Sequence, residues 1–266
     1  MQTNTYEGLH IINKSLSITR DQLVIEAPLQ ININEKPYTV VMRTPDNDQD
    51  LILGLLYAED IYKKTTPIPF EIVEEKYEIP SIVNVTIHKE NLGKGYLNKR
   101  TLLSVSSCGI CGKQKLEDIE VNGDKITKEV LVNSDQLLEM FKPLQEYQTT
   151  FKKTGGCHAA GVFDTEFNLL SIREDIGRHN AVDKCVGSLL QQNNLKKATY
   201  LLVSGRVSYE IVSKAFLAKI PVIVAVSACS SMAVDFAKEF GICLIGFTRE
   251  EKMTVYSNPT FLQTKN

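Results

Sequence analysis

A marked excess of charge of one sign is missing from this sequence. Lys and Arg number 30, Asp and Glu 32, and the net charge is −2. No broad basic field is available for general nucleic-acid binding, so any anion site must be local. An export signal is missing too. "MQTNTYEGLHIINKSLSITR" has neither an apolar core nor a small-residue cleavage site. No apolar run reaches the length of about 18 residues that a membrane span needs. The longest, "PVIVAVSACSSMAV", is broken by serines and reads as a buried strand followed by a helix. Neither a GxGxxG string nor a P-loop occurs. Internal repeats and low-complexity linkers are also absent.

What is present is ordinary for a soluble globular chain: 43% hydrophobic and 23% charged over 266 residues. That length suits one large domain or two modest ones. Six cysteines without an export signal point to a reducing cytoplasm. There, a CxxC pair is read first as metal-binding or catalytic.

The first hundred residues read mostly as strands. "PLQININ" alternates Leu29, Ile31 and Ile33 inward, "EKP" turns the chain, and "YTVVM" returns it. "IVNVTIH" repeats the pattern with Ile82, Val83, Val85 and Ile87. Between them "PDNDQDLILGLLYAEDI" predicts a helix with Asp46 as N-cap, Gln49 three residues on, and Leu51, Leu55 and Leu56 as its apolar face. A second helix is expected over "SDQLLEMFKPLQEYQTTFKKTGG", capped by Ser134, stopped by Gly155 and kinked at Pro143. A hairpin, "CHAAGVFD" to "LLSIRED", follows. From residue 178 helices and continuously apolar strands alternate, the grammar of a sheet covered on both faces. The expected division is a strand-rich part, 1–133, and an α/β part, 134–266, which could share one sheet.

In an open α/β sheet, ligands bind outside the carboxyl ends of the strands. Those ends collect Arg178, His179, Asn180, Arg206, Ser230, Ser231, Arg249 and Lys252, with glycines beside them. Helix N-termini there offer N–H groups and a positive dipole end. The set is coherent for a phosphate-bearing ligand, although polar loop residues gather at strand ends in any case.

"SVSSCGICGK" carries Cys108 and Cys111. A closed zinc site wants four ligands, and Cys157, Cys185, Cys229 and Cys243 stand singly. A zinc deaminase would show H-x-E before P-C-x-x-C. "HKE" (His88 to Glu90) has the right order, but Ser107 replaces the proline. A thioredoxin-type pair would open a helix after a strand, and that context is missing upstream. A sulfur carrier needs a nucleophilic cysteine on an open, flexible loop, which two serines and two glycines supply. The spacing alone does not choose between redox and carrier roles.

"SSCGICGK", "TGGCHAAGVF", "EDIGRHNAVDK", "SGRVSYEIVSKA", "IPVIVAVSACSSMAV" and "GFTREEKMTVYS" occur in this order. Together with "EAPLQININEKPYTVVMRTPDNDQDLILGLLYAEDI" they resemble the formate dehydrogenase accessory sulfurtransferase family, FdhD, over about residues 20 to 257. The resemblance implies an α/β, cytidine-deaminase-like three-layer sandwich with a strand-rich N-terminal part. It implies a cytoplasmic sulfur carrier, often dimeric, fed by a cysteine desulfurase. The acceptor would be the molybdenum bis(molybdopterin guanine dinucleotide) cofactor of formate dehydrogenase. No resident metal, nucleic acid or membrane is implied. Cys108 matches the persulfide-bearing position and Cys111 its partner. Phe247, Thr248, Arg249, Glu250, Glu251 and Lys252 match the cofactor-binding stretch. Arg206 and His179 are added as phosphate-side candidates. Cys157 and His158 fall in a family motif without an assigned role.

Overall fold

The computed structural model describes residues 2–64, 66–97, 123–128, 130, 132–250, 252–257 and 262–263. The chain opens with a hairpin of β1 (Thr3–Ile12) and β2 (Ser15–Val24). Then come β3 (Ala27–Ile33), β4 (Lys36–Arg43), helix α1 (Asp48–Ala58), β5 (Phe70–Lys76), β6 (Ile79–Val85) and the single turn α2 (Lys94–Leu97). The four strands β3 to β6 form one sheet in the order β4-β3-β6-β5. Asn34 and Glu35 turn β3 into β4 with φ of 51° and 65°, the left-handed pair that a two-residue hairpin favours. Leu29, Ile31, Ile33, Val83 and Val85 bury one face of this sheet against Leu51 and Leu56 of α1. The period-2 pattern predicted that face.

The second part begins with β7 (Val132–Asn133) and three short helices, α3 (Ser134–Glu139), α4 (Phe141–Tyr147) and α5 (Thr149–Thr154). Strands β8 (His158–Phe163) and β9 (Leu169–Asp175) form the expected hairpin. They lead through α6 (Arg178–Gln191), β10 (Tyr200–Val203), α7 (Tyr209–Leu217), β11 (Val222–Ala225), α8 (Ser231–Phe240), β12 (Cys243–Arg249), β13 (Lys252–Ser257) and β14 (Leu262–Gln263). Six of these strands make a mixed sheet, β9-β8-β10-β11-β12-β13, in which β10, β11 and β12 run parallel. β7 and β14 pair separately, in parallel.

Alternation along the short strands sorts the layers. Leu201, Val203, Ile223 and Ala225 face α6, α7 and α8. Tyr200, Leu202, Val222 and Val224 face Leu137, Phe141 and Leu144 of α3 and α4. The expected three-layer sandwich is therefore present. The strands are apolar at every position because both faces are covered.

Helix α6 is buried from His179 through Leu190, because α1 closes the side that the sheet leaves open. The two helices touch backbone to backbone. A Cβ on Gly54 would lie 1.9 Å from the Asp183 carbonyl oxygen, and one on Gly187 would lie 1.8 Å from that of Asp50. Asp50 also takes an ion pair from Arg173 of β9 at 2.8 Å. This helix–helix contact fastens the first sheet to the second.

Four local expectations change. The N-cap of α1 is Asn47, not Asp46. Both residues are left-handed, with φ of 59° and 78°, and Asn47 makes no side-chain capping bond. The sharp turn out of β4 sets this entry instead of a capping box. The predicted second helix is three helices, broken at Met140 and Gln148. Asn133, not Ser134, caps the first by accepting from the N–H groups of Asp135 and Gln136. Pro143 sits in the first turn of α4, where its missing N–H costs nothing. β1, β2, β5, β7, β13 and β14 were not anticipated. Gly155 ends α5 with φ 66° as expected. Among the described residues no helix is long and apolar enough to cross a membrane.

Gly54→Ala should destabilise the protein by about 3 kcal/mol, the upper end for overpacking a tight core. The atom it strikes is backbone and cannot swing aside. Urea unfolding would show a lower midpoint. Gly8→Ala, whose Cβ would meet only the Thr19 methyl at 3.8 Å, serves as the near-neutral control.

Candidate functional site

The parallel strands β10, β11 and β12 end on one side of the sheet. β8 runs antiparallel to β10, so its first residue, His158, joins that rim. Gly205 and Arg206 follow β10, and Gly177 and Arg178 open α6. Gly205 leaves room for its neighbours here: a Cβ would stand 3.1 Å from His158 Nδ1, a crowded contact, and 3.5 Å from Arg178 Cβ.

The rim is electropositive. Burial lowers the pKa of His158 from the ordinary histidine value, and the charges of Arg178 and Arg206 and the neighbouring His179 lower it further. Asp175 pulls weakly the other way. Arg178 Nε is buried without a hydrogen-bond partner among the described residues. Gly177, the N-cap of α6, brings no side chain to its free N–H groups. An unpartnered guanidinium Nε beside a helix N-terminus without a side-chain cap, with exposed Arg206 next to it, is a fit for phosphate oxygens.

Two consecutive carboxylates at the end of β9 hold the walls of this site. Successive strand residues point to opposite faces. Glu174 accepts from the N–H groups of Thr150 and Phe151 at 2.9 and 2.8 Å and so fixes the start of α5. Asp175 is fully buried. It accepts from Gly177 N–H at 2.8 Å and Asn180 Nδ2 at 2.9 Å on one oxygen. The other oxygen takes Thr44 N–H at 3.1 Å and the Lys184 ammonium at 2.8 Å. The turn into α6 is thereby pinned to the end of β4.

A cavity of about 560 Å³ opens beside His158, between α4–α5 and the ends of β8, β10 and β11. Phe141, Leu144 and Phe151 give it apolar walls, Gln145 and Gln148 offer amides, and Lys152 is part of its lining. The sequence reading missed it because its walls come from helices broken at positions that periodicity did not reveal.

The candidate residues are not all at the rim. His179 is buried, with Nε2 2.8 Å from Glu210 Oε2 and 3.0 Å from Ser208 Oγ. Asn180 is engaged with Asp175 and the Met42 carbonyl. Ser230 caps α8, accepting from Ala233 N–H. "FTREEK" is not a loop after a strand. β12 continues to Arg249 and turns at Glu250, φ 57°, into β13. A bulge between Gly246 and Arg249 puts Phe247 at φ 51° and 40% exposed, its N–H bonded to Ser227. Thr248 is buried with its Oγ1 unpartnered among the described residues. Arg249 and Lys252 are exposed, facing each other across the turn. Glu251, Cys108 and Cys111 lie outside the described residues.

The other four cysteines are free thiols. Burial pushes Cys157 and Cys229 up to about 11 and Cys185 and Cys243 up to about 12. Sulfur nucleophiles react as thiolates, so none of the four is primed for attack near neutral pH. Cys185 and Cys243 pack in the core as expected. Cys157 stands 3.9 Å from Thr44 Oγ1, at the edge of the cavity. Among the described residues no cluster of His, Cys, Asp and Glu has metal-site geometry. His88 precedes a short helical turn in an exposed segment.

Comparison with known proteins places these features in context. Residues 24–263 match the profile of the FdhD/NarQ family. The sulfur carrier protein FdhD of Sulfolobus acidocaldarius is 38% identical over 242 residues, covering 91% of each chain. The protein of the same name from Streptomyces avermitilis is 38% identical over 264 residues, 96% of this chain and 94% of that one. A crystal structure from Desulfotalea psychrophila, described as a formate dehydrogenase accessory protein, superposes with a TM-score of 0.77. It covers 99% of this chain and 100% of its own at 20% identity, which establishes the shared fold.

The lowered pKa of His158 has a sign. Between its folded value and the ordinary 6.5, the unfolded chain binds the proton and the folded one does not. Stability is therefore full above that window and falls as pH drops through it. Unfolding measured from pH 7.5 to 5 should show this slope, and His158→Gln should flatten it.

Proposed function

Because the chain belongs to the FdhD/NarQ family, we propose that it is a sulfur carrier serving formate dehydrogenase maturation. The observation that carries this reading is the 38% identity, over nine-tenths of both chains, to a protein named as a sulfur carrier. A reducing cytoplasm is the compartment that fits thiol chemistry.

In this reading the Cys108 thiolate attacks the terminal sulfur of a persulfide on a cysteine desulfurase. The donor's S–S bond breaks, the desulfurase cysteine leaves as a thiolate, and the new S–S bond forms at Cys108. Cys111 assists or resolves that intermediate. The acceptor is the molybdenum bis(molybdopterin guanine dinucleotide) cofactor of formate dehydrogenase. Forming the metal–sulfur bond is the cofactor's own chemistry, and the protein positions and shields it. The high pKa values of the four other thiols support Cys108 and Cys111 as the working pair.

Recognition of a phosphate-linked ligand is supported by Arg178, Arg206 and the α6 N-terminus. The neighbouring cavity, walled by Phe141 and Phe151, suits a flat heteroaromatic ring. The 247–252 hairpin, with Arg249 and Lys252 exposed, is a second contact. His179 then acts through the protein, holding α6 against α7 by way of Glu210.

The decisive experiment is intact-protein mass spectrometry after incubation with a desulfurase and cysteine, with peptide mapping. Reducible added sulfur is expected on the Cys108–Cys111 peptide. It should vanish in Cys108→Ser and persist in part in Cys111→Ser. Full loading of Cys108→Ser would sink the carrier reading. Guanosine diphosphate binding, measured by calorimetry, should weaken roughly tenfold or more in Arg206→Ala, the scale of one charge-assisted bond. Cys108→Ser should leave that binding unchanged.

A further inference from the structure

Two histidines stand near the rim, and the fold treats them differently. His179 is buried, with Nε2 held by Glu210 and Ser208. His158 opens β8, is half-buried and lines the cavity. The charged groups around it come from several elements. Arg178 and His179 face it from α6, Arg206 from the segment after β10, and Asp175 from the end of β9. Lys152 of α5 and the preceding Cys157 line the same cavity. The Cys157 thiol is neutral, pushed up to about 11 by burial. Glu174 points to the other face, its oxygens bonded to the N–H groups of Thr150 and Phe151.

The acid that faces His158 is fully occupied. Asp175 takes Gly177 and Asn180 on one oxygen, Thr44 and Lys184 on the other. A carboxylate with four donors, one of them an ammonium, has no lone pair left for an imidazolium. The remaining neighbours are two arginines. A proton on His158 would meet repulsion in a half-dry site, so the ring is neutral in the free protein near pH 7.

An arriving anion reverses that balance. Arg178 Nε is buried and unpartnered among the described residues. Arg178 and His158 also border one gap, the space that the missing Gly205 side chain leaves. A Cβ placed there would lie 3.1 Å from His158 Nδ1 and 3.5 Å from Arg178 Cβ. An anion drawn to Arg178 therefore sits beside the imidazole.

We propose that His158 is the third cation of this site: it takes up a proton as a phosphate-linked ligand docks and then donates to a phosphate oxygen. The step balances simply. One proton leaves the buffer and binds the free ring nitrogen, and no bond of the ligand breaks. The inference rests on the reading of the rim as a phosphate site and adds a preference to it. A diphosphate diester brings two charges, enough to cancel both arginines at the ring. A single phosphodiester brings one and leaves repulsion in place.

The test uses diguanosine diphosphate, two guanosines joined 5′ to 5′, whose charge is constant between about pH 5.5 and 8. Calorimetry on the full chain in two buffers of different ionisation enthalpy should show proton uptake near pH 6.5 and none near pH 8. Affinity should rise as pH falls, by up to about tenfold per pH unit, the limit for one proton. Guanylyl-guanosine, with one phosphodiester, should bind with little uptake. His158→Gln keeps a neutral donor. It should match the parent near pH 8 and lose the gain on the acid side, whereas a purely structural role would weaken binding at every pH. The buffer comparison on the parent chain needs no variant. Binding that ignores the buffer overturns the inference and leaves the phosphate site standing. Uptake that survives His158→Gln overturns it too, because the proton then belongs to another group. A dinucleotide that binds at no pH overturns both.

Discussion

The structure turns on one buried carboxylate. Asp175 is fully excluded from water and accepts four hydrogen bonds, from Gly177, Asn180, Thr44 and Lys184. A buried charge is tolerated only when paired and fully bonded. Here the bonding partners come from the residue that follows β4, from the turn after β9 and from α6. Satisfying one charge therefore aligns the edge of the first sheet with the helix that opens the site. Its neighbour Glu174, pointing to the other face, does the same for α5.

That alignment explains why α6 can afford so many polar residues in a dry setting. Lys184 is spent on Asp175, and Asp183 receives the Lys214 ammonium of α7 at 2.6 and 2.8 Å. His179 meets Glu210. The first pair ties α6 to the end of β9 and the other two tie it to α7, while Gly54 and Gly187 let α1 lie directly on its backbone. The helix N-terminus is thus held rigidly, and its residue with spare bonding capacity, Arg178, is left facing the rim. A rim fixed in this way presents its positive charge without reorganisation when an anion arrives.

The thiols divide by environment. Cys157, Cys185, Cys229 and Cys243 sit where burial disfavours the thiolate. A carrier that must expose a reactive sulfur to two proteins in turn cannot use a sulfur held in its own core. The two cysteines of "SSCGICGK" are set among small residues, the composition such chemistry requires.

Much of this was written in local pattern. Alternation located β3, β4 and β6, the continuous apolar runs located β10, β11 and β12, and the glycine and arginine punctuation located the strand ends. Those signals are legible because side-chain period and turn chemistry are set by a few neighbouring residues. The rest was decided between segments far apart in the chain. Asn180 and His179 look like rim residues beside Arg178, yet partners at Met42 and Glu210 draw them inward. "FTREEK" reads as a loop, but pairing with residues 252–257 carries the strand on through a bulge. The apolar cavity needed α4, α5 and three strand ends to meet. Local sequence determined which segments could be strands, helices and anion-facing turns. Burial, which forces every charge and backbone group to find a partner wherever one exists, decided which of those residues were left over for a ligand.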